Sequence, residues 1–258
     1  MDRVLWTKDQ VKLAFHLYCQ LQFGKLHRGN PEIIQLAKLL GRTPSSLALR
    51  LVNMSSLDPA IRASGRSGMK NASKLDHEVW EEFHEDWERL AEDCDRLRQA
   101  LEQSQPLEPL VTTADELGIL DDFTGETRSV ITQQRMKQNF FRRAVLASYQ
   151  GRCCMSGLSE PRLLIASHIV PWSKDHANRL NPSNGLCLSA IHDRAFDLGF
   201  LTLDDDYRVL LSEKLQSSSD AFVVQTFHAI AGRPIEMPYR FLPEPAFIKR
   251  HRQEVFNG

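Results

Sequence analysis

Apolar residues return every three or four positions through the N-terminal part of the chain, which is the period of an amphipathic helix. Val4, Leu5, Val11, Leu13, Ala14, Leu17, Tyr18 and Leu21 form the first stripe, with Thr7 placed to cap its start and Gly24 to stop it. Gly29-Asn30-Pro31 reads as a turn, after which Asn30 caps a second helix with Pro31 at its first position. Its stripe is Ile33, Ile34, Leu36, Ala37, Leu39 and Leu40. Gly41 ends it, and Thr43-Pro44 opens a third helix that buries Leu47, Ala48, Leu51 and Val52. Helix, short glycine-containing turn, helix over Ile33–Asn53 fits a helix-turn-helix or a plain helical hairpin.

Residues 62–73 are basic and rich in Gly and Ser, and read as a loop or arm. Asp76 to Gln103 lacks Pro and Gly and carries a narrow stripe from Val79, Trp80, Phe83 and Trp87 to Leu97 and Leu101. The pattern predicts one long helix, serving as a connector or as a dimer seam. Ser104 to about Gln134 reads as a linker. Beyond it, Asn139–Tyr149 is predicted helical, with Arg142 and Arg143 exposed. Short apolar runs at Leu163–Ala166 and Leu186–Leu188 predict strands, and a short helix is expected between Asn184 and Phe196. Leu198–Leu211 predicts a hairpin with its turn at Asp204-Asp205-Asp206. Late helices are expected near Ser219–Ala231 and Pro245–Phe256. The predicted class is α+β, with a helical part at 1–73, a long acidic helix and linker at 74–134, and a mixed part at 135–258.

The chain has 258 residues, 42% of them hydrophobic, and a net charge of -1. That length suggests one or two domains with a real core. The near-zero charge hides a segregation. Residues 1–74 hold twelve Lys and Arg against four Asp and Glu, and residues 75–126 hold three against seventeen. Residues 127–258 return to seventeen against twelve. Two basic segments flanking an acidic one suit a nucleic-acid partner, and they favour the helix-turn-helix reading. Arg42, Ser45, Ser46, Arg50, Arg66 and Lys70 are the candidate contacts there, with Arg142, Arg143 and Arg194 further on. No secretory signal or membrane span is apparent, so a cytoplasmic location and five free thiols are expected.

The chemistry concentrates in three blocks. Ala166-Ser167-His168-Ile169-Val170-Pro171-Trp172 comes first. Asn184-Gly185-Leu186 follows, and then His192-Asp193-Arg194-Ala195-Phe196-Asp197. In order and spacing these blocks resemble the HNH nuclease family, specifically its restriction and defence branch. The resemblance spans roughly Phe140–Leu211 and extends upstream to Arg152-Cys153-Cys154-Met155-Ser156-Gly157. It implies a ββα-metal fold, a divalent metal (Mg²⁺ or Mn²⁺) and phosphodiester hydrolysis. It also implies His168 as general base, Asn184 as the residue that orients it, and His192 as a metal ligand.

The departure from the pattern is Ser167, which stands where many relatives place a second ligand: either His192 holds the metal with waters and the substrate phosphate, or Ser167 assists weakly through its hydroxyl. Asp193 is the nearest substitute, whereas Asp197 is expected to pair with Arg194 or cap a turn. The cysteines offer no second C-x₂-C pair, so structural zinc is not expected. The stretch Leu39–Ala48 with Leu57-Asp58-Pro59 resembles the helical region that precedes the nuclease in restriction endonucleases. The resulting expectation is a DNA endonuclease acting as a homodimer on double-stranded DNA, with dependence on modified bases left open. The alternatives are a non-catalytic DNA-binding regulator on the same scaffold, or a nuclease for RNA or single strands.

Overall fold

The computed structural model describes residues 5–63, 72–104 and 125–258. Four helices lead: α1 (Lys8–Gln20), α2 (Pro31–Leu39), α3 (Pro44–Ser55) and the short α4 (Pro59–Ala63). Each of the first three starts where its cap is written. Thr7 accepts from the Gln10 amide, and the Gln10 side chain answers the Thr7 amide, a reciprocal capping box. Asn30 accepts from Glu32 and Thr43 from Ser46, each followed by a proline that needs no N–H partner. Gly41 holds φ at +63° in the turn between α2 and α3, a conformation that costs other residues more.

The predicted long helix is broken. α5 (Lys74–Glu85) and α6 (Trp87–Ser104) are separated at Asp86, whose backbone leaves the helical region at φ -153°, ψ 84°. The Asp86 carboxylate accepts from the Arg89 amide at 2.9 Å and so opens α6 as a new helix. Both helices pack on α1, where Phe15 stacks on Phe83 at 5.1 Å and meets Trp80 edge-on at 5.2 Å. Much of the acidic charge is spent inside the molecule. Lys12 binds Asp93 at 2.7 Å and Glu82 at 3.3 Å, Lys8 binds Glu82, and Lys137 bridges Glu88 and Glu92.

The expected linker is helical over its last part. α7 runs from Gly125 to Ser148 and packs on α1, α6 and the strands that follow. Strands β1 (Leu164–His168) and β2 (Gly185–Ser189) pair antiparallel, with His168 opposite Gly185. Ser189 then accepts from the His192 amide and starts α8 (Ala190–Asp197), which packs back on both strands. β3 (Leu201–Leu203) and β4 (Val209–Leu211) form the predicted hairpin. A short α9 (Glu213–Gln216) precedes the expected late helix, which is shorter than predicted: α10 (Ala221–Val223) runs on into a wider helical turn at Val224–His228. Helix α11 (Pro245–Glu254) packs on β3.

One buried apolar cluster takes in residues of α1–α3, α5–α8 and all four strands. Arg240 ties the late chain to the first helix. It is 1% exposed, donates to the carbonyls of Tyr18, Cys19 and Leu21 at the end of α1, and lies 4.5 Å from the Tyr18 ring. These carbonyls lie at the C-terminus, where a helix runs out of its own donors, and among the described residues only the Tyr18 carbonyl has a backbone amide as well, that of Leu21.

Candidate active site

β1, the loop after it with Pro171 and Trp172, α8 and the end of α11 line a cavity of about 440 Å³. Ser167, His168, Asp193 and Asp197 supply its chemistry. His168 ends β1, and its position is fixed from three sides. Phe141 of α7 stacks flat on the ring at 3.8 Å and 8°, and Trp172 meets it edge-on at 5.4 Å. Nε2 lies 2.9 Å from the Arg179 carbonyl oxygen. A carbonyl can only accept, so Nε2 carries the proton and Nδ1 is the bare, basic nitrogen. Burial lowers the His168 pKa below the usual histidine range, with the Arg179 carbonyl pulling the other way. The ring is therefore neutral at pH 7 and ready to take a proton.

The stacking on Phe141 depends on Gly185. A side chain there would collide with Val145 and the Phe141 ring. The missing Cβ lets α7 sit against the sheet directly opposite His168.

Asn184 is fully buried, and its amide is spent on the backbone of the loop after His168. Oδ1 accepts from the Val170 amide at 2.8 Å, while Nδ2 donates to the Val170 and Asn178 carbonyls, each at 3.2 Å. It bonds the loop and not the His168 ring. That loop carries Arg179, whose carbonyl holds Nε2, so Asn184 positions His168 at one remove. The Arg179 guanidinium stays on the same loop, donating to the Trp172 carbonyl at 3.0 Å and lying over the Trp172 ring.

His192 is not brought to the cavity. It is 2% exposed, with Nδ1 3.0 Å from Ser189 Oγ and 3.5 Å from Cys153 Sγ, and Phe227 meets it edge-on. Its Nε2 is buried without a partner among the described residues. The helix explains the placement. Each residue advances about 100°, so His192 shares the core face of α8 with Phe196, four residues on, while Asp193 and Asp197 share the cavity face. Burial pushes the Cys153 thiol up, but hydrogen bonds from His192, Ser156 and nearby amides outweigh it and bring it down to about 6.

Asp193 and Asp197 are both raised above the ordinary carboxylate range. Burial is the main cause for each, and for Asp197 the charge of Asp193 adds to it. The Ser167 hydroxyl, 2% exposed, faces Asp193 and pulls its pKa back, yet forms no hydrogen bond of full geometry. The charge of Arg194 pulls the pKa of Asp197 back, without a contact ion pair between the two. The part of Asp197 in the cavity was readable from the sequence only as an i, i+4 partner of Asp193.

These residues fit a divalent cation of the hard, oxygen-binding kind. Two carboxylates that resist ionising together, beside an unpartnered buried hydroxyl, gain from a positive charge between them. Among the described residues, no group of three or more His, Cys, Asp or Glu side chains converges as a preformed metal cluster.

Most of the arginines expected on nucleic acid are engaged within the protein. Arg42 donates to Gln10 and to the Leu5 carbonyl and lies over Trp6 at 4.8 Å. Arg50 pairs with Asp76 and lies 4.4 Å from the same ring. Arg142 donates to the Leu164 carbonyl, and Arg143 pairs with Glu32. The Ser46 amide is held by Thr43, and Ser45 is exposed. Arg194 is exposed on α8 beside the cavity. Arg66 and Lys70 lie outside the described residues.

Residues 153–204 match the family model of the HNH endonucleases. This stretch holds β1, β2 and α8 and is what the chain shares with the HNH endonucleases. No curated protein matches the chain. No helix among the described residues is long and apolar enough to cross a membrane.

Proposed function

We propose that the chain is a metal-dependent DNA endonuclease of restriction or defence type, with His168 as its general base. The observation that carries this reading is the bare Nδ1 of His168, held by the Nε2–Arg179 contact in a cavity shared with Asp193 and Asp197. A water placed at Nδ1 loses its proton to the ring as its oxygen attacks the phosphorus of the scissile phosphodiester. The bond from phosphorus to the leaving sugar oxygen then breaks, and that oxygen takes a proton from solvent. A neutral imidazole of depressed pKa performs the first transfer at neutral pH.

Asp193, with Ser167 and Asp197 beside it, would hold Mg²⁺ or Mn²⁺, which supplies charge stabilisation at the phosphate and leaving oxygen. His192 braces α8 from its core face. Arg194 is the nearest exposed cation for a flanking phosphate, and Ser45 remains available at the start of α3. The restriction or defence role is supported by the motif blocks alone. Cutting both strands with one such motif per chain calls for a homodimer.

The deciding experiment incubates supercoiled plasmid, modified and unmodified, with Mg²⁺ or Mn²⁺ and either wild type or H168A. Nicking by wild type alone is expected. Equal nicking by both proteins would remove His168 from its role, and no cleavage of any DNA would return the chain to a binding function.

A further inference from the structure

Helices α1, α2, α6 and α7 enclose a second cavity, of about 220 Å³, away from the catalytic one. α7 serves both. Asn139, Phe140 and Arg143 face this cavity, while Phe141 turns to His168.

The lining is polar where four packed helices would ordinarily bury apolar groups. Part of that polarity is already used. Glu32 is bound by Arg143, and Gln20 donates to the His16 ring and carbonyl. Arg98, Gln35 and Asn139 have no hydrogen-bond or ion-pair partner among the described residues. Asp95 is unpaired as well. Burial lifts its carboxyl above the ordinary range although Arg98 and Lys137 pull against the rise. The enclosed His16 is held down at about 3, mainly by burial and in addition by the charges of Arg98 and Arg143. His16 and Phe140 stack at 4.8 Å and 17° and give the cavity an aromatic wall.

A bare anion would satisfy Arg98 and leave Asp95 opposed. A neutral heterocycle would satisfy Asp95 and the amides and leave Arg98 unused. A ligand with an anionic end and a flat ring bearing N–H groups meets every unpaired group at once. Guanidinium suits phosphate, and carboxylate with amides suits the edge of a base. The volume falls below the roughly 300 Å³ at which drug-sized sites begin, so only a small ligand fits, with part of it projecting past the exposed rim at Asn139. We propose that this cavity binds a mononucleotide, free or as the 5′-phosphorylated end of a DNA strand, with its phosphate on Arg98 and its base edge on Asp95, Gln35 and Asn139.

Isothermal titration of the full chain with AMP, GMP, CMP and UMP tests this, with inorganic phosphate and ribose 5-phosphate as controls. At least one nucleotide is expected to bind once per chain and more tightly than either control. R98Q should weaken it about tenfold or more, a difference of roughly 1.4 kcal/mol. D95N should change the order of preference among the four bases. H168A should bind as wild type does, which separates this site from the catalytic cavity. Competition by a 5′-phosphorylated oligonucleotide would identify DNA ends as the source, and failure to compete would identify the free nucleotide. The proposal is overturned if none of the four binds at about 1 mM. It is equally overturned if ribose 5-phosphate binds as well as any nucleotide, if R98Q binds as wild type does, or if H168A abolishes binding.

Discussion

The two faces of α8 place adjacent residues in different media. On the core face, His192 sits under 2% exposure against Cys153, Ser189 and Phe227, and its surroundings are those of a packing residue. On the cavity face, Asp193 and Asp197 share an enclosed but open-mouthed space with His168, and burial there raises their pKa values. One residue of helix rotation separates a side chain held in the core from one that lines the cavity. The letter in a motif therefore counts for less than the direction in which the helix turns it.

The largest effect is expected at His168. H168A should reduce plasmid nicking by about 10²–10⁴-fold, the usual weight of a positioned general base, with little change in melting temperature. Next comes the test of the two faces. D193A should lose about 10²–10³-fold in rate, because the charge that would hold the cation is gone. H192Q should keep its rate within about tenfold and lose about 1–3 kcal/mol of stability, read by urea unfolding. If H192Q loses as much rate as D193A while unfolding normally, the comparison between the faces fails. N184A should cost about 1–3 kcal/mol through its unpaired loop groups and lower the rate only as far as His168 loses its aim.

The lowered pKa of His168 keeps Nδ1 bare through neutral pH. Rate should hold steady from pH 7 past the usual histidine value and fall only at lower pH. A limb centred above about 6.5 would contradict the buried site. Stability has the same sign. His16 and His251 are neutral in the fold down to about 3 and about 4, mainly through burial, whereas the unfolded chain protonates near 6.5. Their contribution is complete above about 6.5 and is lost as pH falls towards 4 and then 3. The smallest effect is expected at Arg194. R194A should weaken DNA binding a few-fold and lower the salt slope by about one, since a phosphate contact releases about one counterion.

The sequence made the HNH-like unit legible because its parts are local. A strand ending in His168, a buried Asn184 and a capped helix beginning after Ser189 lie within about 30 residues, and turn and cap signals mark each one. The break at Asp86 was hidden because the apolar stripe runs through it from Phe83 to Trp87 and on to Leu90, and only the side chain of Asp86 reveals a new start. The fate of the acidic block was hidden for a different reason. Lys12 and Asp93 are 81 positions apart, and no pattern within either helix announces the other. The same distance in sequence conceals the use of Arg42, Arg50 and Arg143, which read as a free basic surface until their partners Gln10, Asp76 and Glu32 come into place.

Arg240 carries a consequence for how such a chain can be divided or inherited. Its guanidinium closes the end of a helix laid down more than 200 positions earlier. A fragment that stops short of residue 240 takes away the buried donor that the Tyr18, Cys19 and Leu21 carbonyls share, and a fragment lacking α1 keeps a sunken cation with nothing to receive it. The N-terminal helices and the part that holds the HNH-like strands are therefore poor cassettes. A recombination event or an engineered fusion that exchanged either one would have to carry a matching plug or socket with it.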